Sequence, residues 1–373
     1  MDKQYMDRAY IQRLEKIEAI LQAWLPDHPD PAGPEHQWMT EAFGYLEGAL
    51  TSELVKALTQ PGWDLFNRGG KRWRPLLMTL VCEALGGGDR ALPLTPLVEF
   101  PHTASLIHDD IEDNADERRR EPAIHIRYGT DRAINTGAFL YFLALACISP
   151  WDVPAERKNQ VVKLWGVSMR RLHLGQAMDI GWHRDFSSLP SLEAYDLMCR
   201  LKTGSLARLA AVLGVLAALP GDTVPGHEAL LCNALGKAAE NLGVGFQILD
   251  DVKNLTTGNP GKKRGDDVVE GKKSLPVLLY LYRHPDHQAL VVRCFAAARQ
   301  GGSRAPEVEE LIEALTAAGV LIEAAEQGRS LIREAREVFS HIPGTGQVLG
   351  ESGALLGGLL DFIGETSIQG QEG

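Results

Sequence analysis

Carboxylates gather at two places in this chain. In His108-Asp109-Asp110-Ile111-Glu112-Asp113, Asp109 lies four residues and Asp110 three residues before Asp113, so the three project from adjoining parts of one helical face. The second group is Asp250-Asp251, which ends the apolar run Gly243-Val244-Gly245-Phe246-Gln247-Ile248-Leu249. Like charges this close raise one another's pKa and cost stability unless something positive sits among them. Hard oxygen ligands on a stiff element suit Mg²⁺, which takes one or two carboxylates and completes its shell with water and phosphate. A solvated acidic helix end would explain one such cluster equally well. Two of them, each following an apolar face, favour the metal.

Cations supply the complement. Gly69-Gly70-Lys71-Arg72-Trp73-Arg74-Pro75 sets Lys71 and Arg74 three apart where a helix begins, and helix N-termini and arginine forks both favour phosphate groups. Arg118-Arg119-Arg120 follows the first acidic group by little more than one helical turn, and Lys202-Thr203, Lys263 and Lys272 are further candidates. Singly, each reads as an ordinary surface cation. Arranged around two carboxylate groups in a chain of formal net charge -11, they read as a cradle for diphosphate. That acidity argues against a nucleic-acid partner. No His, Ser or Cys arrangement reads as a nucleophilic triad.

The elements that must position these residues are helices. Apolar residues recur at three- and four-residue spacing over roughly 37–59, 73–86, 92–114, 130–148, 154–182, 191–218, 226–255, 271–283, 286–299, 305–340 and 346–363. An N-terminal helix carries Ile11, Leu14, Ile17, Ile20, Leu21 and Trp24, and the stretch from Pro26 to Pro34 breaks it. The expected fold is all-α, one large helical bundle. The expected organisation is an N-terminal helix and linker over 1–35, a helical domain over 36–366 and a flexible tail over 367–373. Five dispersed cysteines with no metal-ligand spacing read as reduced core thiols. The charged N-terminus does not resemble a signal peptide, and the apolar run Leu209–Leu219 is too short to span a membrane. A cytoplasmic protein without a transmembrane segment is expected.

From Phe66 to Tyr280 the sequence resembles the trans-isoprenyl diphosphate synthase (polyprenyl synthetase) family, and is closest in type to geranylgeranyl diphosphate synthases. The motifs, in order, are GGKRWRP (69–75), HTASLIHDDIEDNADERRREP (102–122), GQAMD (175–179), LKTGSL (201–206), GVGFQILDD (243–251) and GDDVVEGKKSLP (265–276). The resemblance implies a helical fold with a central active-site cavity, a homodimer, and condensation of isopentenyl diphosphate with an allylic diphosphate. It implies that Lys71, Arg74 and His102, with Arg119 beside them, hold isopentenyl diphosphate. Asp109, Asp110, Asp113 and Asp250, with Asp251 behind it, would bind Mg²⁺, about three ions with substrate present. Arg118, Lys202, Lys263 and Lys272 would help to grip the allylic diphosphate, and Thr203 and Gln247 would flank the allylic cation. Lys202, Thr203 and Gln247 are therefore the candidate catalytic residues.

The sequence departs from the family pattern at Asn254, Arg120-Glu121, Ala138 and Pro101, the last expected to kink its helix or displace its hydrogen bonding. Ala104 and Ser105, five and four residues before Asp109, are small where short-chain members carry an aromatic floor. Phe100 lies one turn deeper, which points to geranylgeranyl diphosphate or a longer product. Two other readings share these features. A non-catalytic subunit of a heteromeric synthase would account for Arg120, Ala138 and Asn254 but usually loses the carboxylates. A class I terpene cyclase needs no second diphosphate pocket and so leaves GGKRWRP and His102 unused.

Overall fold

The computed structural model describes residues 3–29, 36–46, 50–219, 226–258, 263–342 and 350–366. Among them, all regular structure except one two-stranded hairpin is helical. The expected C-terminal tail, 367–373, lies outside the described residues. Compactness divides the chain into two units: Met1–Gly166, Leu209–Asn233 and Pro343–Leu356 form the first, and Val167–Arg208, Ala234–Ile342 and Gly357–Gly373 the second.

The first unit begins with α1 (Lys3–Trp24), α2 (His36–Phe43), α3 (Ser52–Asn67), α4 (Trp73–Ala84) and α5 (Pro96–Glu112). A hairpin of β1 (Glu117–Arg118) and β2 (Glu121–Pro122) leads to α6 (Ile124–Tyr128) and α7 (Thr130–Ala146). In α1, Ile17 and Leu21 are wholly buried while Ile11 is exposed, and Arg13 pairs with Glu83 of α4 at 2.7 Å. The single helix expected over 37–59 is two: α2 stops at Phe43, and α3 starts at Ser52 with the Thr51 hydroxyl accepting from Leu54 N at 3.4 Å. α3 then runs on to Asn67.

Two prolines sit inside these helices, and each frees a carbonyl four residues back. Pro101 leaves α5 unbroken, and the carbonyl of Leu97 is taken by the indole N–H of Trp165 at 3.2 Å. Pro61 leaves α3 unbroken, and the carbonyl of Ala57 accepts from Arg132 at 3.1 Å. The displaced hydrogen bonding expected at Pro101 is thus present, and a side chain of another helix absorbs it. α5 packs most extensively on α7.

The helix α8 (Ala155–Arg184) runs from the first unit into the second. The second unit continues with α9 (Leu192–Cys199), a π-helical turn (Arg200–Gly204), α10 (Ser205–Ala218) and α11 (His227–Thr256). It is completed by α12 (Asp266–Glu270), α13 (Leu275–Arg283), α14 (Gln288–Gly301), α15 (Pro306–Ala317), α16 (Val320–Ser340) and α17 (Glu351–Thr366); α10 from Leu209 onward and the first turns of α11 and α17 belong to the first unit. Its core is built on Leu278, Phe295, Leu311, Leu315 and Ala324, all wholly buried. The helix expected over 305–340 breaks at Gly319, whose φ of 71° is the left-handed conformation that ends α15.

The apolar run Leu209–Leu219 is the second half of the helical stretch expected over 191–218. Leu192–Ala218 is a continuous 27-residue helical run that passes on length and hydropathy for a membrane span, because the π turn joins two helices end to end. Inside the protein 89% of its most apolar window is buried, as in a core helix.

Candidate active site

In the first unit the acidic group ends α5, and its members are not equivalent. Asp109 and Asp113 are half-buried, one helical turn apart. Asp110 is wholly buried and accepts from Arg118 Nε at 2.8 Å, with a second, shorter contact from the same guanidinium. Burial works against the charge of Arg118, but Asp110, Asp109 and Asp113 outweigh it and raise its pKa. Arg118 stands on the hairpin, which α3 anchors: Arg68 donates to the carbonyls of Arg118 at 3.1 Å and Pro122 at 2.8 Å.

A basic cluster is built beside α5 from the GGKRWRP segment. Arg72, at φ 46°, turns the chain into α4 and is buried between Glu99 at 2.8 Å, Glu18 at 2.7 Å and the carbonyl of Phe66 at 2.6 Å. It is the structural member of the motif. Arg74 is also buried, stacked on Trp73 at 4.4 Å, with Nε free of a hydrogen bond. Burial pushes Arg74 down to about 10, partly offset by Glu99. Arg119 donates to the carbonyls of Leu65 at 3.0 Å and of Gly69, and burial and Arg72 bring it down to about 10. His102 is held neutral, well below its usual range, by burial and then by Arg74, Arg119, Arg72 and Arg118. Four guanidinium groups thus act on one neutral imidazole, and an anion with several oxygens is the natural occupant. Lys71 is exposed.

The second unit gathers the opposite charge. The π turn presents Lys202 and Thr203, and such turns recur at functional sites because they re-aim side chains out of helical register. It packs directly on α8, since a Cβ on Gly175 would lie 2.4 Å from Lys202 N. Lys202 Nζ then reaches Asp179 at 2.6 Å. Burial would raise the Asp179 carboxyl, but Lys202 and Lys272 overcome this and lower it. Thr203 Oγ1 donates to Gln247 Oε1 at 2.8 Å, Gln247 Nε2 donates to Asp251 Oδ1 at 2.8 Å, and Tyr195 donates to Asp251 Oδ2 at 3.0 Å. Lys272 pairs with Glu270 at 2.8 Å and Asp267 at 3.3 Å.

Asp250 is half-buried, whereas Asp251 is buried, and burial together with Asp267 pushes its carboxyl up to about 8. Even with the Asp251 carboxyl protonated at neutral pH, Asp179, Asp250, Asp267 and Glu270 outnumber Lys202 and Lys272, an arrangement that fits a hard dication. Among the described residues no three His, Cys, Asp or Glu side chains converge as a ready-made metal cage.

Sequence reasoning passed over Asp179, Asp267, Glu270, Tyr195, Arg72 and Glu99. Asp179, Asp267, Glu270 and Arg72 stand within GQAMD, GDDVVEGKKSLP and GGKRWRP; Tyr195 and Glu99 carry no local signal. Lys263 is exposed.

The comparisons with known proteins agree with this chemistry. Residues 55–315 match the family model described as polyprenyl synthetase. The chain belongs to the polyprenyl synthetase family. It is 32% identical over 310 residues to the geranylfarnesyl diphosphate synthase of Aeropyrum pernix, covering 81% of this chain and 92% of that protein. The crystal structure of the geranylgeranyl pyrophosphate synthetase from Pyrococcus horikoshii is similar with a TM-score of 0.78 and 26% identity, over 97% of this chain and 98% of that one. A Caulobacter crescentus polyprenyl synthase, solved with calcium and isoprenyl diphosphate, shares the fold at a TM-score of 0.74 and 22% identity, over 96% and 97% of the two chains. This synthetase is accordingly a prenyltransferase.

Two departures from the family pattern acquire physical roles. Asn254 is buried; its Oδ1 accepts from Asp267 N at 3.1 Å, and its carbonyl accepts from Gly265 N at 3.0 Å, so it fixes the start of α12. Arg120 is exposed at φ 66°, next to Arg119 at φ 56°. These two form a hairpin turn that glycine would fill without strain.

Proposed function

We propose that this synthetase condenses isopentenyl diphosphate with an allylic diphosphate, using Mg²⁺, to give geranylgeranyl diphosphate or a longer all-trans product. The observation that carries the reading is the division of charge: an arginine-rich cluster around neutral His102, and carboxylates at the end of α5 (Asp109–Asp113) and within the last two turns of α11 (Asp250–Asp251). Arg74, His102 and Arg119, with Lys71 at the surface, would hold isopentenyl diphosphate as a fully charged anion. Asp109, Asp113 and Asp250 would hold Mg²⁺, which when bound neutralises the allylic diphosphate and makes it a better leaving group. Asp110 and Asp251 would act behind them, the one by fixing Arg118 and the other by fixing Gln247.

Lys202 and Lys272 add positive charge on the leaving diphosphate, which is preorganised electrostatic stabilisation. Thr203 and Gln247 hold each other in place, so their oxygens are fixed dipoles available to the allylic cation. The alkene of isopentenyl diphosphate attacks that cation, and the proton lost in forming the new double bond passes to the departing diphosphate. The names of the relatives support a long product, as do the small side chains of Ala104 and Ser105 above the wholly buried Phe100.

A homodimer in the cytoplasm is part of the proposal. The stripe Ile134, Ala138 and Phe142 on α7 supports the dimer, with Ile134 50% and Phe142 73% exposed. Incubating the purified protein with Mg²⁺, isopentenyl diphosphate and each allylic primer in turn tests the function. Elongated products of geranylgeranyl length or more are expected. Cyclised hydrocarbon, or no turnover until a second polypeptide is added, would refute it.

A further inference from the structure

Lys273 stands beside Lys272 and has no part in the chemistry above. It is only 3% exposed. Its ammonium donates to the carbonyl of Trp182 at 3.2 Å and to that of Gly271 at 3.1 Å. It lies 4.7 Å from the ring centroid of Phe295 and 5.7 Å from that of Phe186. Burial brings the amine down to about 8, so an apolar side chain would fill the same space at lower desolvation cost. What the ammonium adds is direction.

Trp182 belongs to the last turn of α8, where carbonyls lack helical partners and the helix dipole is negative. The next carbonyl, that of His183, accepts from Arg299 at 2.9 Å, and Arg299 also donates to the carbonyl of Glu270 at 2.6 Å while stacking on Phe186 at 4.3 Å. Gly271, at φ 78°, presses on the same ring, since a Cβ there would lie 2.4 Å from Phe186 Cε1. The end of α8 is therefore a seat for the Glu270–Ser274 segment.

Adjacent residues of that segment face different ways. Lys273 points into the seat, and Lys272 points to Glu270 and Asp267. Three residues before Trp182 on α8 is Asp179, whose carboxylate responds to both Lys202 and Lys272. We propose that Lys273 is a positioning residue, tying the Gly271–Ser274 segment to the C-terminal carbonyls of α8 so that Lys272 is held at the allylic diphosphate. The proposal rests on the role given to Lys272 under the proposed function.

Steady-state kinetics on Lys273→Met, Lys272→Ala and the double variant test it, with the allylic and isopentenyl KM measured separately. Lys273→Met is expected to raise the allylic KM about tenfold, the scale of one misplaced charge-assisted contact. It should leave the isopentenyl KM unchanged. It should add nothing in the Lys272→Ala background, because the group it positions is gone. If Lys273→Met does not accumulate as folded protein, Lys273→Gln gives the same comparison, since its shorter neutral side chain brings no charge to the carbonyls of Trp182 and Gly271, and the same rise in the allylic KM is expected. Additive effects of the two substitutions, or equal rises in both KM values, overturn the positioning role while leaving Lys272 at the site. An unchanged allylic KM in Lys272→Ala overturns the role of Lys272 and the proposal with it.

Discussion

Trp165→Phe should destabilise the protein through the carbonyl of Leu97, and Pro101→Ala should cancel that part of the loss. In the wild type Pro101 cannot donate to Leu97 O, and the indole of Trp165 does so at 3.2 Å within the buried core. Phenylalanine keeps a ring but loses the donor. A buried carbonyl left unpaired costs about 1–3 kcal/mol, and the smaller ring adds a cavity cost. In the Pro101→Ala background the new backbone N–H reaches Leu97 O in ordinary α-helical geometry, so only the cavity cost remains. The coupling energy of the cycle is therefore expected at about 1–2 kcal/mol, within the range found for residues sharing one partner. Urea unfolding of all four proteins, followed by far-ultraviolet circular dichroism, measures it. Equal losses for Trp165→Phe in both backgrounds, within about 0.5 kcal/mol, would mean that the indole is packing material only.

Phe100→Ala should lengthen the product by one isoprene unit and Ala104→Phe should shorten it, because residues four apart on a helix differ by about 6 Å; chromatography of the dephosphorylated products decides, and an unchanged product from Phe100→Ala removes Phe100 as the floor. Asp109→Ala and Asp250→Ala should each lower turnover by about 10² or more with circular dichroism unchanged. Retention of more than about a tenth of the rate would sink the metal assignment. Arg120→Gly should raise stability by about 1 kcal/mol, since its φ of 66° suits glycine and strains an L-residue; a lower midpoint on thermal unfolding would show that the Arg120 side chain contributes more than its backbone strain costs.

Helical content was legible because the apolar spacing repeats along the whole chain, and period is a local property. Boundaries were not always legible even where the breaker acts alone. Gly319 ends α15 by its own backbone conformation, yet a pattern of apolar residues continues across it and hides the break. Pro101 and Pro61 mislead in the other direction. Each is a breaker by its own chemistry, and each is overruled by a distant donor, Trp165 or Arg132, that sequence cannot bring into view.

The same line divides the site. The helical class, the order of the motifs and the chemical kinds present, carboxylates on helices with cations near them and no nucleophilic triad, are all legible from the residues alone. These follow from residue type and short-range spacing. Only tertiary structure decided which members of each motif face outward. Asp109 and Asp110 are adjacent and identical in type, yet only Asp110 is buried against Arg118. Asp250 and Asp251 divide in the same way, Asp251 being claimed by Tyr195 and Gln247. Lys272 and Lys273 are indistinguishable in sequence, and the carbonyls at the end of α8 and the rings of Phe186 and Phe295 make one of them an anchor. A side chain's direction is set by what packs around it, and those partners lie far along the chain, where no local pattern records them. Tyr195 is 56 residues from Asp251, and Trp182 is 91 residues from Lys273.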